Sequence, residues 1–230
     1  MSALGAERIS DVELAWHRYG TSWARVSTEL AAVPAGPAVL IIGDLVLQGA
    51  VVSGRAGEDA PASWSGIWSN GTAWDTVLKA RPTYQSDDGV RLKTVLKDLA
   101  ADCGVILPVT VAAGAPPDLA VGLFWTRPKY NGNGSRRTGR DELNALVRAR
   151  AILPWWIDAL GFTRFDVRAT GEVAAVSRVI ARDLTIGMRR AGVDSPASFV
   201  PGGLYEGARM GRVIVRESDG KGFTVETWVK

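Results

Sequence analysis

Few side chains in this 230-residue chain are of a type that carries out chemistry. There is one histidine, His17, and one cysteine, Cys103. A nucleophile relay built on histidine would need a serine or cysteine beside His17, and no Gly-x-Ser-x-Gly elbow occurs. His17 sits in an alternating run and reads as a structural or surface histidine. One Cys and one His cannot supply a zinc site, so no metal is expected, and no cofactor either. Cys103 ends an apolar helical stripe and reads as a small core residue rather than a nucleophile. Carboxylate pairs are the remaining catalytic option. Glu58-Asp59 falls in turn-forming sequence and Asp87-Asp88 at the start of a helix, where acids favour the positive end of its dipole. The expectation is a protein that is not an enzyme.

Two other groups of residues suit binding. Between 127 and 150 there are seven basic side chains against two acids, a local excess of five, while the rest of the chain sums to −2 within an overall charge of +3. Tyr130, Arg136, Arg137 and Arg140 could form a patch contacting DNA phosphates or an acidic partner. The alternative is a solvated loop. Gly132-x-Gly134 lacks the Gly-Lys-Ser/Thr ending of a phosphate loop. The second group is the tryptophans, nine against four tyrosines and five phenylalanines. Trp16, Trp155 and Trp228 lie in predicted strands and are expected in the core. Trp64, Trp68 and Trp74 fall in Gly/Ser-rich sequence between 57 and 75, read as a loop. There they would serve as subunit-interface anchors or as a platform for a sugar.

The elements that must hold these residues are mostly strands. Val12, Leu14 and Trp16 alternate with Glu13, Ala15 and His17, the period of a half-buried strand. Trp23 to Thr28 reads as its return. Val39 to Ile42 and Leu45 to Leu47 flank the two-residue turn Gly43-Asp44, and Gly49, Gly54 and Gly57 suggest a bulge or bend beyond it. Leu92, Val95, Leu96, Leu99 and Cys103 form one helical stripe, giving a helix over 90–103 with Gly104 as its stop. A strand is expected over 105–111 and a mobile loop over 127–140. A second helix is expected over about 141–150, with Leu143, Leu146 and Val147 facing inward. Trp155 to Asp158 and Phe162 to Phe165 read as a hairpin. Residues 172–190 suit helix or strand, with strand preferred. Pro201-Gly202-Gly203 is a turn, and 210–217 with 223–229 closes the chain as a hairpin.

These elements predict an α+β, mainly β fold: two β-rich, barrel-like subdomains with two helices between them. The expected segments are 1–110, 111–150 and 151–230. A single cysteine excludes an intrachain disulfide and points to a reducing compartment. The amino terminus lacks the charged and apolar regions of a secretory signal, and no run approaches the length of a membrane-spanning helix. The chain is expected to be soluble and to fold in a cytoplasm.

The order of these features resembles the baseplate hub proteins of bacteriophage tails, the late-control type. The likeness is carried by Leu45-Val-Leu-Gln-Gly-Ala-Val-Val-Ser-Gly54 followed by tryptophan-rich sequence, by the helix from Asp88 to Gly104, by Leu143 to Arg150 with the hairpin from Trp155 to Phe162, and by the ending from Val200 to Val229. The resemblance implies a structural protein of the virion tail, assembled in the host cytoplasm. It implies a homotrimeric hub ring that joins the tail tube to distal tail, spike or fibre proteins and lets DNA pass. Trp64, Trp68 and Trp74 would then make subunit contacts, and Arg136, Arg137 and Arg140 would lie near DNA or an acidic partner. A carbohydrate-binding module recognising host surface glycans through exposed tryptophans is the alternative.

Overall fold

Alternation of apolar and polar side chains dominates the sequence, and strands dominate the computed structural model. It describes residues 2–28, 33, 35–56, 63–79, 83–107, 122, 124–165, 178–218 and 222–229. In chain order the strands are β1 (Ala3–Leu4), β2 (Glu7–His17), β3 (Trp23–Thr28), β4 (Gly36–Ile42), β5 (Leu45–Ala56), β6 (Trp64–Ser69), β7 (Thr83–Gln85) and β8 (Phe124–Thr126). They continue as β9 (Trp155–Ile157), β10 (Thr163–Phe165), β11 (Arg178–Asp183), β12 (Met188–Val193), β13 (Leu204–Tyr205), β14 (Ala208–Ser218) and β15 (Phe223–Val229). Two α-helices, α1 (Leu92–Cys103) and α2 (Gly139–Arg148), interrupt them. The mainly-β α+β expectation holds.

The chain forms two compact units, Met1–Asn70 with Ile157–Gly161 and Arg168–Lys230, and Gly71–Trp156 with Phe162–Val167. Where the sequence suggested breaks near 110 and 150, the first crossing between units follows Asn70.

In the first unit one eleven-stranded sheet runs β1-β4-β5-β6-β3-β2-β14-β15-β12-β11, with β13 beside β14. Because β1 also pairs with β2, the first six strands close into a barrel. The two β-rich stretches of the sequence meet where β2 pairs with β14. Strand β2 is long enough to serve both: Glu7 and Arg8 pair with β1, while Asp11 to His17 pair with β14. The Gly43-Asp44 turn joins β4 to β5 with Ile42 opposite Leu45, and Gly43 takes the left-handed φ of 62° that favours glycine. The register of β5 against β6 shifts between Val51 and Ser53, the expected bulge.

The core of this unit includes Leu14, Val26, Leu40, Ile42, Leu47, Trp68, Met210 and Val215, all buried. On the outer face an ion-pair ladder crosses strands. Glu13 meets Arg216 at 2.9 Å, Arg216 meets Glu226 at 3.2 Å, and Glu226 meets Arg190 at 2.8 Å. Charge therefore occupies positions that alternate with the core residues, which keeps that face in water.

In the second unit α1 carries the predicted stripe: Leu92, Val95, Leu96, Leu99 and Cys103 are all buried. Gly104 ends it in the left-handed conformation, and the Val105 N–H donates to Ala100 O at 2.8 Å. That closure replaces the start of the strand expected over 105–111; residues 105–107 are not a strand, and 108–111 lie outside the described residues. Asp87 and Asp88 do not reach the helix start, since the N-cap is Arg91 and the first turn holds no acid. Helix α2 begins two residues earlier than expected. Thr138 accepts from the Asp141 N–H while the Asp141 carboxylate accepts from the Thr138 N–H, a capping box.

The hairpin expected at 155–165 is present as β9 and β10. The strand preference for 172–190 is met from 178 onward by β11 and β12, and 172–177 lie outside the described residues. Trp16 and Trp155 are buried as expected, but Trp228 is not. Val225 and Thr227 take the inward positions of β15, which leaves Trp228 half-buried with the Arg212 guanidinium over its ring at 5.3 Å.

Candidate assembly and nucleic-acid interface

The three tryptophans read as loop anchors are core residues instead. Trp64 and Trp68 lie in β6, and Trp74 in a short 3-10 helix (Thr72–Asp75). Along β6 the inward positions are Trp64, Gly66 and Trp68. Gly66 pairs with Gly54 of β5, and a methyl group at either would overlap the Trp64 ring. A methyl group at Gly49 would likewise overlap the Trp68 ring. The glycines of β5 thus make room for indoles of β6. Trp68 is fully buried and its Nε1 donates to Ala38 O at 2.9 Å.

In the second unit Trp74 lies 6.3 Å from Trp155, centroid to centroid, and its Nε1 donates to Thr163 Oγ1 at 2.8 Å. Buried to 3% exposure or less, these indoles offer no surface to another chain, so packing takes the place of the interface role expected of Trp64, Trp68 and Trp74. The same burial removes the platform that the carbohydrate-binding alternative required. Five of the nine tryptophans are buried and the other four half-buried.

The basic segment is also more ordered than its composition suggests. Tyr130 and Arg136 form a β-bridge around Gly132 and Gly134, and the Asn131 N–H donates to Ser135 O at 2.8 Å. The mobile loop expected over 127–140 is therefore a closed turn leading into α2. A phosphate-loop role fails on electrostatics, because the Asp141 carboxylate already occupies the amino end of α2.

Three of the seven basic residues are matched inside the unit. Arg127 is 1% exposed; it contacts Asp102 at 2.7 Å and donates to Tyr84 Oη at 3.2 Å. Arg137 is buried 3.1 Å from Glu142, whose other oxygen accepts from Trp125 Nε1 at 2.9 Å. Burial raises the Glu142 carboxyl, against the opposing pull of Trp125 and Arg137. Arg140 pairs with Asp75 at 2.6 Å on the surface. Of the trio Arg136, Arg137 and Arg140, only Arg136 is exposed. Burial beside Glu142 takes Arg137 out of the DNA or acidic-partner contact expected of the three, while Arg140 stays at the surface in its pair with Asp75.

Asp87 and Asp88 sit in an exposed turn, and Glu58-Asp59 lie outside the described residues. His17 is the last residue of β2, opposite Arg212.

Burial pushes the Cys103 thiol up to about 11, and the nearby Asp102 charge adds to it. The thiolate fraction at pH 8 is then about one part in a thousand, and the thiolate is the reactive form. Cys103 in the folded chain is expected to resist a disulfide reagent at pH 8 and to titrate as one thiol once denaturant is added. Native labelling at the rate of a free thiol would contradict this placement.

No protein-family model matches this chain, and no curated protein matches it in sequence. Solved structures do match its fold. A tail protein from Neisseria meningitidis MC58 superposes with a TM-score of 0.64 at 11% identity, covering 100% of this chain and 95% of the other. The 43 kDa tail protein of prophage MuSo2 from Shewanella oneidensis gives 0.61 at 12% identity, covering 100% and 96%. The E. coli c3393 protein gives 0.62 at 8% identity, covering 99% and 73%; it is described as a type VI secretion component similar to the T4 tail proteins gp27 and gp5. At these identities the likeness is one of fold, and at that level the resemblance to phage tail proteins read from the sequence is met.

Proposed function

We propose that this chain is a non-enzymatic structural component of a phage tail or a related injection machine. One observation carries the reading: its fold is that of tail proteins along its whole length. The finer form places it at the tail tip or baseplate as a homotrimeric hub ring, assembled in the host cytoplasm, joining the tail tube to distal tail, spike or fibre proteins. A barrel continued by an open sheet suits such a role, because a rigid β-scaffold presents strands and hairpins to neighbours without unfolding. DNA would pass through the ring. Arg136, with the exposed Lys129, Arg148 and Arg150, is the part of the basic segment left to meet it.

The test is location. Tails carrying a gold-labelled copy of the chain are expected to show label at the distal end, and particles assembled without it are expected to lack a closed tip. Label along the tube or in the head would exclude the hub role.

A further inference from the structure

The outer face of the barrel holds a cleft that the ion-pair ladder does not use. Its volume is about 410 Å³, and Arg25 of β3 and Arg55 of β5 flank a floor that includes Ser53, Ser65 and Ile67. Arg25 alternates with the buried Ala24 and Val26, which puts it on the outside. Strand β6 lies between β3 and β5, with Ile67 opposite both Arg25 and Ser53, and Ser65 opposite Arg55. The two arginines therefore stand diagonally across β6, two strands apart and offset by two residues, with roughly 12 Å between their Cα atoms.

Both arginines are exposed, and neither has a carboxylate partner among the described residues. Arg25 stands opposite Glu13, but that carboxylate goes to Arg216 at 2.9 Å. Two cations at one cleft with no counter-charge favour an anionic occupant. The surroundings decide which kind. Glu13 lies beside Arg25 on β2, Asp11 lies beside Ser27 in the next row, and Glu226 follows across Arg216. A polyanion such as DNA, laid across this face, would meet those carboxylates as well as the arginines. A compact group with two negative charges avoids them.

The second unit displays such a group. Asp87 and Asp88 are the exposed central residues of a β-turn, closed by the Gly89 N–H donating to Ser86 O at 3.1 Å. Neither acid has a partner among the described residues. A β-turn is less than about 7 Å across its base, so it fits between arginines set roughly 12 Å apart. A group and its complement in different units of one chain make a head-to-tail contact between copies, and such contacts form a ring when the rotation closes.

We infer that the Asp87–Asp88 turn of one copy docks in the Arg25–Arg55 cleft of a second copy of this chain. The inference rests on the ring reading and names its interface. The test uses the full chain, with association followed by light scattering on dilution. Arg25→Glu with Arg55→Glu, and separately Asp87→Lys with Asp88→Lys, are each expected to weaken association at least ten-fold with an unchanged circular dichroism spectrum, because each sets like charges face to face. The chain carrying all four substitutions, which exchanges the signs across the contact, is expected to recover the wild-type association. A second measurement leaves the arginines in place: Ser53→Cys and Asp88→Cys variants, mixed and oxidised, are expected to give a linked dimer that neither gives alone, since Cys103 is buried. An oligomer that is indifferent to the reversals, is not rescued by the fourfold exchange, or does not link in the mixture would overturn the inference while leaving the ring intact. A wild-type chain that is monomeric at every concentration would overturn both.

Discussion

Trp68→Ala is expected to destabilise the first unit by about 4 kcal/mol, the range for deleting a fully buried tryptophan. The indole fills the space left by Gly49, and its Nε1 holds Ala38 O at 2.9 Å. Alanine therefore leaves a cavity and removes the side-chain bond to Ala38 O. For a chain of this size such a loss lowers the melting temperature by roughly 10 °C. Trp68→Phe, which keeps most of the volume, is expected to lose less than half as much. The effect separates packing from assembly. If the indole is core, the loss appears as earlier melting at every protein concentration. A variant of unchanged stability that fell apart only on dilution would instead restore Trp68 as a subunit contact.

Asp102→Ala is expected to cost about 2 kcal/mol in the second unit. Arg127 is buried, and Asp102 is its carboxylate partner at 2.7 Å. Removing one member of a buried pair costs about 3–5 kcal/mol, because the other charge is left in a low-dielectric site. Asp102 is about one-third exposed at its side chain, so water takes over part of its role and the expected figure is lower. The double variant Arg127→Met with Asp102→Leu is expected to recover most of the loss. Equal losses in the single and double variants, measured by denaturant unfolding, would remove the ion pair from the account.

The legible parts of the fold are those where one face of an element is buried and the other wet. Strands β2, β3, β14 and β15 and helix α1 announce themselves by period, and the β4–β5 turn by Gly43-Asp44. Strand β6 escaped because its inward positions read Trp64, Gly66, Trp68, and a glycine in the middle hides the alternation. Its signal lay elsewhere in the chain, in Gly49 and Gly54 of β5, whose missing side chains match the indoles. That is long-range pairing, which no local period reveals.

The basic segment was misread for a similar reason. Arg127 and Arg137 sit in turn-rich sequence that looks solvated, while Asp102 and Glu142 become their partners only once the second unit packs. Charge density along a sequence overstates charge at a surface whenever the counter-charge arrives from another element. The Thr138–Asp141 capping box was legible locally, and it places the start of α2 where the apolar stripe alone does not.

The central claim is that this fold exists to join copies of itself and its neighbours. The most direct measurement is the mass of the purified full chain in solution by light scattering across a dilution series. A species of three times the 24.5 kDa chain mass is expected at high concentration, dissociating as it is diluted. A constant single-chain mass over the whole series would contradict it.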